Sequence, residues 1–220
     1  MLKNIINKFN CFFAFLFLFL LIGFSFLLIG CSGMRQPVHP IEYYTLEYQL
    51  PKEKNPVTLP IVLCVENFQI SPEYHTNSII YREDPLKRNH YAYHKWRANP
   101  NDLVTYFITR DLNHSSLFSS VVSMRSRLTP THSVEGIVDD FFEKDEKDSW
   151  FAVMTVRIVL LQNNNKASHV LFNKQYTHTE QCAKKNPQSL AEAMSRNMAT
   201  ISKKITDDIY SHLLEIHKGQ

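Results

Sequence analysis

The residues best suited to chemistry are His178, Glu180 and Cys182, which alternate in the run His178-Thr179-Glu180-Gln181-Cys182. Alternate side chains of a strand share one face, so an imidazole, a carboxylate and a thiol would stand in a row as metal ligands. A complete site needs donors from elsewhere, and the sequence offers no second half such as Cys-x-x-Cys. The plainer reading, a polar strand end, is preferred. His90 and His94 lie in a strand-like stretch, where four residues span about 13 Å, too far to share an ion. His212 and His217 fall about 140° apart on a helix and do not converge. Neighbouring Asp139 and Asp140 point to opposite sides of a strand, and the charged run 143–148 reads as a solvated turn. Past residue 30 the only glycines are Gly33, Gly136 and Gly219. No phosphate cradle, dinucleotide fingerprint or Gly-x-Ser-x-Gly elbow can be written from three isolated glycines. The expectation is a chain without catalytic residues, metal site or cofactor.

Covalent chemistry is expected at one thiol, Cys31. Lys3 and Lys8 lead into an apolar run from Cys11 to Ile29, and small Gly30 stands directly before Cys31. That order is the layout of a bacterial secretory signal. Leu28-Ile29-Gly30-Cys31-Ser32 resembles a lipobox, the recognition sequence of lipoprotein signal peptides. The resemblance implies cleavage before Cys31 and acylation of the new N-terminal cysteine by palmitate-type chains. Several chains anchor far more firmly than one, because each buried methylene contributes about 0.8 kcal/mol. The alternative is an uncleaved transmembrane anchor, since roughly 20 apolar residues span a bilayer, although a spanning helix does not require Gly30 before Cys31. Both readings place the rest of the chain outside the cytoplasm. Ser32, rather than Asp, after the cysteine resembles the outer-membrane sorting class.

With residues 1–30 removed, 190 of the 220 residues remain, enough for one domain with a real core. The two signal lysines leave with that segment, so 22 Lys and Arg face 21 Asp and Glu. A balance this even lacks the basic footprint of a nucleic-acid binder. Residues 31–40 form a polar tether kept extended by two prolines, and 41–220 form a single periplasmic domain. Cys64 and Cys182 could pair in an oxidising compartment. The alternative, and the preferred one, is a buried strand thiol at Cys64 and an unrelated exposed thiol at Cys182.

The elements that would position these residues follow from periodicity. Strands are predicted at 43–48, 61–65, 78–82, 91–96 and 117–122, the second apolar on both faces and therefore central. A meander follows at 134–142, 150–161 and 170–176, joined by a charged turn and an asparagine turn. One helix begins at Asn99-Pro100 with Leu103, Val104, Phe107, Ile108 and Leu112 as its stripe. A longer helix begins at Asn186-Pro187, with Leu190, Met194, Met198, Ile201, Ile205, Ile209, Leu213 and Ile216 at spacings of three and four. The predicted class is α/β of the α+β type, a mixed, mostly antiparallel sheet with two packed helices. Tyr81, Arg82, Tyr91, Tyr93 and Trp96 cluster in two strands around one loop. They suit either interface anchors or cross-strand pairs that merely stabilise a sheet.

Those strands carry a family resemblance. Tyr43-Tyr44-Thr45-Leu46, then Val65-Glu66-Asn67-Phe68, Ile80-Tyr81-Arg82, Tyr91-Ala92-Tyr93-His94-Lys95-Trp96, Pro100, Leu103-Val104, Leu112, Ser116, Phe118 and Val121-Val122 resemble the ABC-type transport auxiliary lipoproteins. The specific part runs from 41 to 125, and from 126 onward the likeness is one of layout. The connection 69–78 departs from the family in lacking glycine. The resemblance implies a fold like the N-terminal domain of the Tol-system β-propeller protein, and an outer-membrane lipoprotein without catalysis. It also implies partners: a substrate-binding protein with a mammalian-cell-entry domain and inner-membrane transport components, in lipid traffic that maintains membrane integrity. Family members can form homo-oligomeric rings. The alternative function is a lipid-carrying protein with a pocket under the last helix, lined by Met194, Met198 and Phe107.

Overall fold

Apolar alternation and two proline-started helices give nine strands and two helices in the computed structural model, which describes residues 39–50, 57–164 and 167–219. The signal segment 1–30, Cys31, Ser32 and most of the tether lie outside the described residues. The strands are β1 (Glu42–Tyr44), β2 (Leu59–Val65), β3 (Gln69–Ile70), β4 (Ser78–Arg82), β5 (Asn89–Trp96), β6 (Phe118–Ser123), β7 (His132–Asp145), β8 (Trp150–Asn163) and β9 (Ser168–Gln181). The helices are α1 (Pro100–His114) and α2 (Pro187–Lys218). A 3₁₀ turn, Pro72–Tyr74, fills the glycine-free connection between β3 and β4. Among the described residues no helix is long and apolar enough to cross a membrane.

Strand β7 organises the sheet. Along one edge it pairs antiparallel with β8 from His132↔Gln162 to Asp145↔Trp150, and β9 pairs antiparallel with β8 beyond it. Its other edge is shared by three strands in succession, all parallel to it: β2 near Ser133, β3 at Ile137 and Val138, and β4 at Glu143 and Lys144. Outside these lie β6, parallel to β2, and β5, antiparallel to β4, with β1 parallel to β5. The expected class of helices on a mixed, mostly antiparallel sheet stands by paired residues, 29 of 44, although five of the eight strand pairings are parallel. Antiparallel pairing is confined to β4–β5 and the β7–β8–β9 meander, and the other pairings are parallel. Turn composition reports hairpins between consecutive strands. A parallel pair is joined by a distant crossover such as the one containing α1, which leaves no local signature.

The core lies between the sheet and the two helices. Ala152, Met154, Val156, Ile158 and Leu160 of β8 are fully buried beneath α2, as are Leu190, Met194, Met198, Ile201, Ile205 and Ile209 of α2 itself. Burying each such aliphatic side chain contributes about 1.5–3 kcal/mol. The Asn186 side chain accepts the Ser189 N–H at 2.8 Å, so the predicted cap of α2 is formed. Asn186→Ala is expected to lower stability by about 1 kcal/mol, read as a lower denaturant midpoint at unchanged slope. At α1 the Asn99 side chain makes no cap bond, and the start rests on Pro100 with Asp102 in the first turn.

Gly136 is required by close approach. A Cβ there would lie 2.3–2.5 Å from three ring atoms of Phe68, a side chain only 2% exposed. The ring would have to leave its seat. Gly136→Ala is therefore expected to cost about 1–3 kcal/mol by overpacking, measurable as a lowered thermal midpoint.

Candidate functional site

Strand β5 departs from regular pairing where the aromatic residues lie. Between Ser78↔Lys95 and Ile80↔His90, β4 advances two residues while β5 advances five. Such an irregularity re-aims side chains that a regular strand would alternate. Here it brings the Tyr91 hydroxyl to 3.0 and 3.1 Å from the two carboxylate oxygens of Glu143 on β7. The Tyr91 ring meets Tyr81 at 5.0 Å between centroids, His94 edge-on at 5.7 Å and Trp150 at 6.3 Å. On the flank, His94 Nδ1 lies 3.3 Å from the Glu42 carboxylate, which also accepts the Tyr44 hydroxyl. Five strands thus contribute to one aromatic and carboxylate cluster.

Glu143 is its centre and was not singled out by the sequence. The run 143–148 reads as a solvated turn, yet Glu143 is completely buried in β7, opposite Ala152. The turn itself spans only 146–149, closed by reciprocal backbone bonds between Glu146 and Ser149. Burial pushes the Glu143 carboxyl up to about 7, against the opposing pull of the Tyr91 hydrogen bond. Nearby Asp145 raises it further and Lys185 lowers it. Tyr91 is itself raised, first by burial and then by the Glu143 charge. The missed signal is a change of phase. Val134, Gly136 and Val138 face the core, and a bulge at Asp139 and Asp140 then puts Phe141 and Glu143 on that side.

The five interface candidates separate. Trp96 is 1% exposed and packs edge-on against Phe141 in the core, so it is corrected from a surface anchor to a core residue. Arg82 is largely covered, with its guanidinium 3.7 Å above the Phe142 ring and 3.5 Å from both Glu73 and Asp140. It pins the 3₁₀ turn to the sheet. Tyr81 and Tyr91 are half-buried in the cluster, whereas Tyr93 keeps 47% exposure.

The chemistry-bearing run at the end of β9 is committed to α2. His178 Nδ1 lies 2.7 Å from Asn197 Oδ1, and Arg196 donates to Glu180 at 2.8 Å. Among the described residues no group of three His, Cys, Asp or Glu side chains could hold a metal ion. Cys64 and Cys182 are free thiols, both buried, and burial raises each to about 11. The possible bridge is corrected. Cys64 pairs beside Ser133, while Cys182 bonds Trp150 at the opposite end of β7, roughly 40 Å of strand away. A disulfide needs Cα atoms within about 7 Å. The expected exposure of Cys182 is corrected as well.

The space that the alternative reading assigns to a lipid is filled. Phe107, Met194 and Met198 interlock in the main core, none more than 4% exposed. A cleft of about 500 Å³ lies instead on the helix-free side, with Glu66, Glu135, Arg157, Val159 and Asn173 among its walls. Arg157 there donates to Asp139 at 2.7 Å. Its walls carry charges that an acyl chain would have to desolvate.

A family model described as the ABC-type transport auxiliary lipoprotein component matches residues 44–206. No curated protein matches. Among solved structures, protein XCC0632 from Xanthomonas campestris superposes with a TM-score of 0.73 at 12% identity, covering 80% of this chain and 99% of its own. An uncharacterized protein gives 0.60 at 13% identity, covering 77% of this chain and 99% of its own. At such identities these matches show a shared fold. The expected likeness to the Tol-system domain finds no support in these comparisons.

Proposed function

Because the chain belongs to the ABC-type transport auxiliary lipoprotein family, we propose that it is an outer-membrane-anchored docking piece on the periplasmic side of such a transport system. The observation that carries this reading is the family match over 44–206, which covers Tyr81, Tyr91 and Glu143, the whole of α1 and the first part of α2, and begins 13 residues after Cys31. In this reading acyl chains on Cys31 hold the domain, with Ser32 directing it to the outer membrane. A substrate-binding protein with a mammalian-cell-entry domain, in contact with inner-membrane components, docks on it and passes phospholipid onward. The filled core supports an adaptor over a carrier, since a carrier needs an apolar cavity that the cargo can enter.

Tyr93 on β5 and Tyr43 on β1, 47% and 52% exposed, are the aromatic side chains that the strands around the cluster present to such a partner. Tyr81, Arg82 and Tyr91 act from behind by fixing the strands that carry them, and a ring of copies around the partner fits the family resemblance. The test is a photo-crosslinking residue at Tyr93 in the full-length protein in its native envelope. Capture of a mammalian-cell-entry-domain protein or an inner-membrane transport component is expected. Recovery of crosslinked lipid alone would replace the adaptor with the carrier.

A further inference from the structure

The β4–β5 turn presents Leu86 at its tip, 93% exposed and the most exposed large apolar side chain among the described residues. The turn is held in shape. The Asp84 side chain accepts the Leu86 N–H at 2.8 Å, and Lys87 N–H bonds the Asp84 carbonyl at 3.2 Å. The Arg88 guanidinium donates to the Pro85 carbonyl at 2.6 Å and to the Glu73 carboxylate. A fixed turn that holds a leucine out in water gains nothing for the fold, because exposed apolar area is unfavourable.

Topology relates that tip to the point where the chain enters the sheet. β1 runs parallel to β5, with Glu42 level with His94. The end at which the chain enters β1 is therefore the end of β5 that carries the turn. Ile41, 45% exposed, stands at that entry. It lies only ten positions after Cys31, a reach of at most about 35 Å when fully extended. The turn's exposed charges are mixed, with Glu83 and Asp84 before Leu86 and Lys87 after it, so the contact rests on the leucine and Lys87 supplies only a local cation for headgroups.

We infer that the β4–β5 turn is a second membrane contact, with Leu86 seated in the headgroup–acyl boundary of the bilayer to which Cys31 is tethered. This rests on the acyl-anchor reading above. It adds an orientation: the end of the sheet that carries the β4–β5 turn faces lipid, and the other end of β7, where Val170 of β9 lies, faces away. An apolar tip with a flanking lysine is the chemistry of interfacial anchors.

The experiment uses full-length acylated protein in phosphatidylethanolamine–phosphatidylglycerol vesicles, with bromine-labelled acyl chains as quencher. Leu86→Trp is compared with Val170→Trp, a site 64% exposed on β9. For Leu86→Trp the expected result is a shift of emission to shorter wavelength together with bromolipid quenching, and for Val170→Trp neither. Equal quenching at the two sites, or a shift at Leu86→Trp without quenching, as a second copy or a protein partner would produce, overturns the inference. Mass analysis of the same sample separates the two readings. An acylated Cys31 with an unquenched tip sinks the turn contact alone, whereas an unacylated start sinks the anchor.

Discussion

Replacing Cys31 by Ala is expected to reduce incorporation of labelled palmitate to background. In the acyl-anchor reading the thiol sulfur is the atom to which the first lipid is joined, and Ala has nothing to take its place. Membrane affinity should fall with it. One acyl chain gives only marginal binding and stable anchoring takes at least two hydrophobic signals, so loss of every chain removes orders of magnitude in partition. A Cys31→Ala chain placed behind an ordinary cleavable secretory signal should therefore move to the soluble periplasmic fraction. A single seated leucine at the β4–β5 turn is too weak to retain it. Mass analysis supplies the decisive control. A native protein that starts at an unmodified Met1 would show that the apolar run anchors the chain instead, and a Cys31→Ala variant that still takes up label would move the acylation to another residue.

The second large effect is a pH dependence centred on Glu143. Its carboxyl titrates near 4.5 when free and is raised to about 7 in the folded protein, by burial above all. The folded state therefore binds this proton more tightly than the unfolded state. Its stabilisation is fully present below 4.5, declines as pH rises between 4.5 and 7, and is gone above that range. The difference amounts to about 3 kcal/mol. Tyr91, Asp145, Lys185 and Cys182 are the titratable groups that bear on the site.

Glu143→Gln keeps the shape and still accepts the Tyr91 hydroxyl, but it carries no charge. Relative to the native protein, the variant is expected to gain about 3 kcal/mol at about pH 8 and little at about pH 4. Denaturant unfolding of both proteins at each pH measures it. The comparison must be between the two proteins. Burial lowers the pKa of His132, so that group adds stability as pH rises through its own range and opposes the trend in either protein alone. Equal shifts at both pH values would mean that Glu143 does not titrate in the fold.

Much of this architecture could be read from local chemistry. Asn186 and Pro187 announce α2, and the three- and four-residue spacing from Leu190 to Leu213 names the face that is buried. The apolar run in β2 names a central strand, and the structure puts it between β6 and β7. The aromatic residues of β4 and β5 were legible as a cluster but not as a division of labour. Trp96 and Tyr93 lie three residues apart, and one is core while the other is surface. Which is which depends on the β5 irregularity and on Phe141 arriving from β7.

The sequence by itself determined most of the elements, the helix starts and the family, because each is written in residues close together in the chain. The tertiary structure alone decided that three strands share one edge of β7 in parallel. It also decided that Glu143 is buried against Tyr91, and that Cys64 and Cys182 end far apart. The reason is register. A strand's side chains alternate with a period of two, so one bulge at Asp139 and Asp140 exchanges inside for outside in everything that follows. Whether such a bulge forms depends on strands distant in the chain.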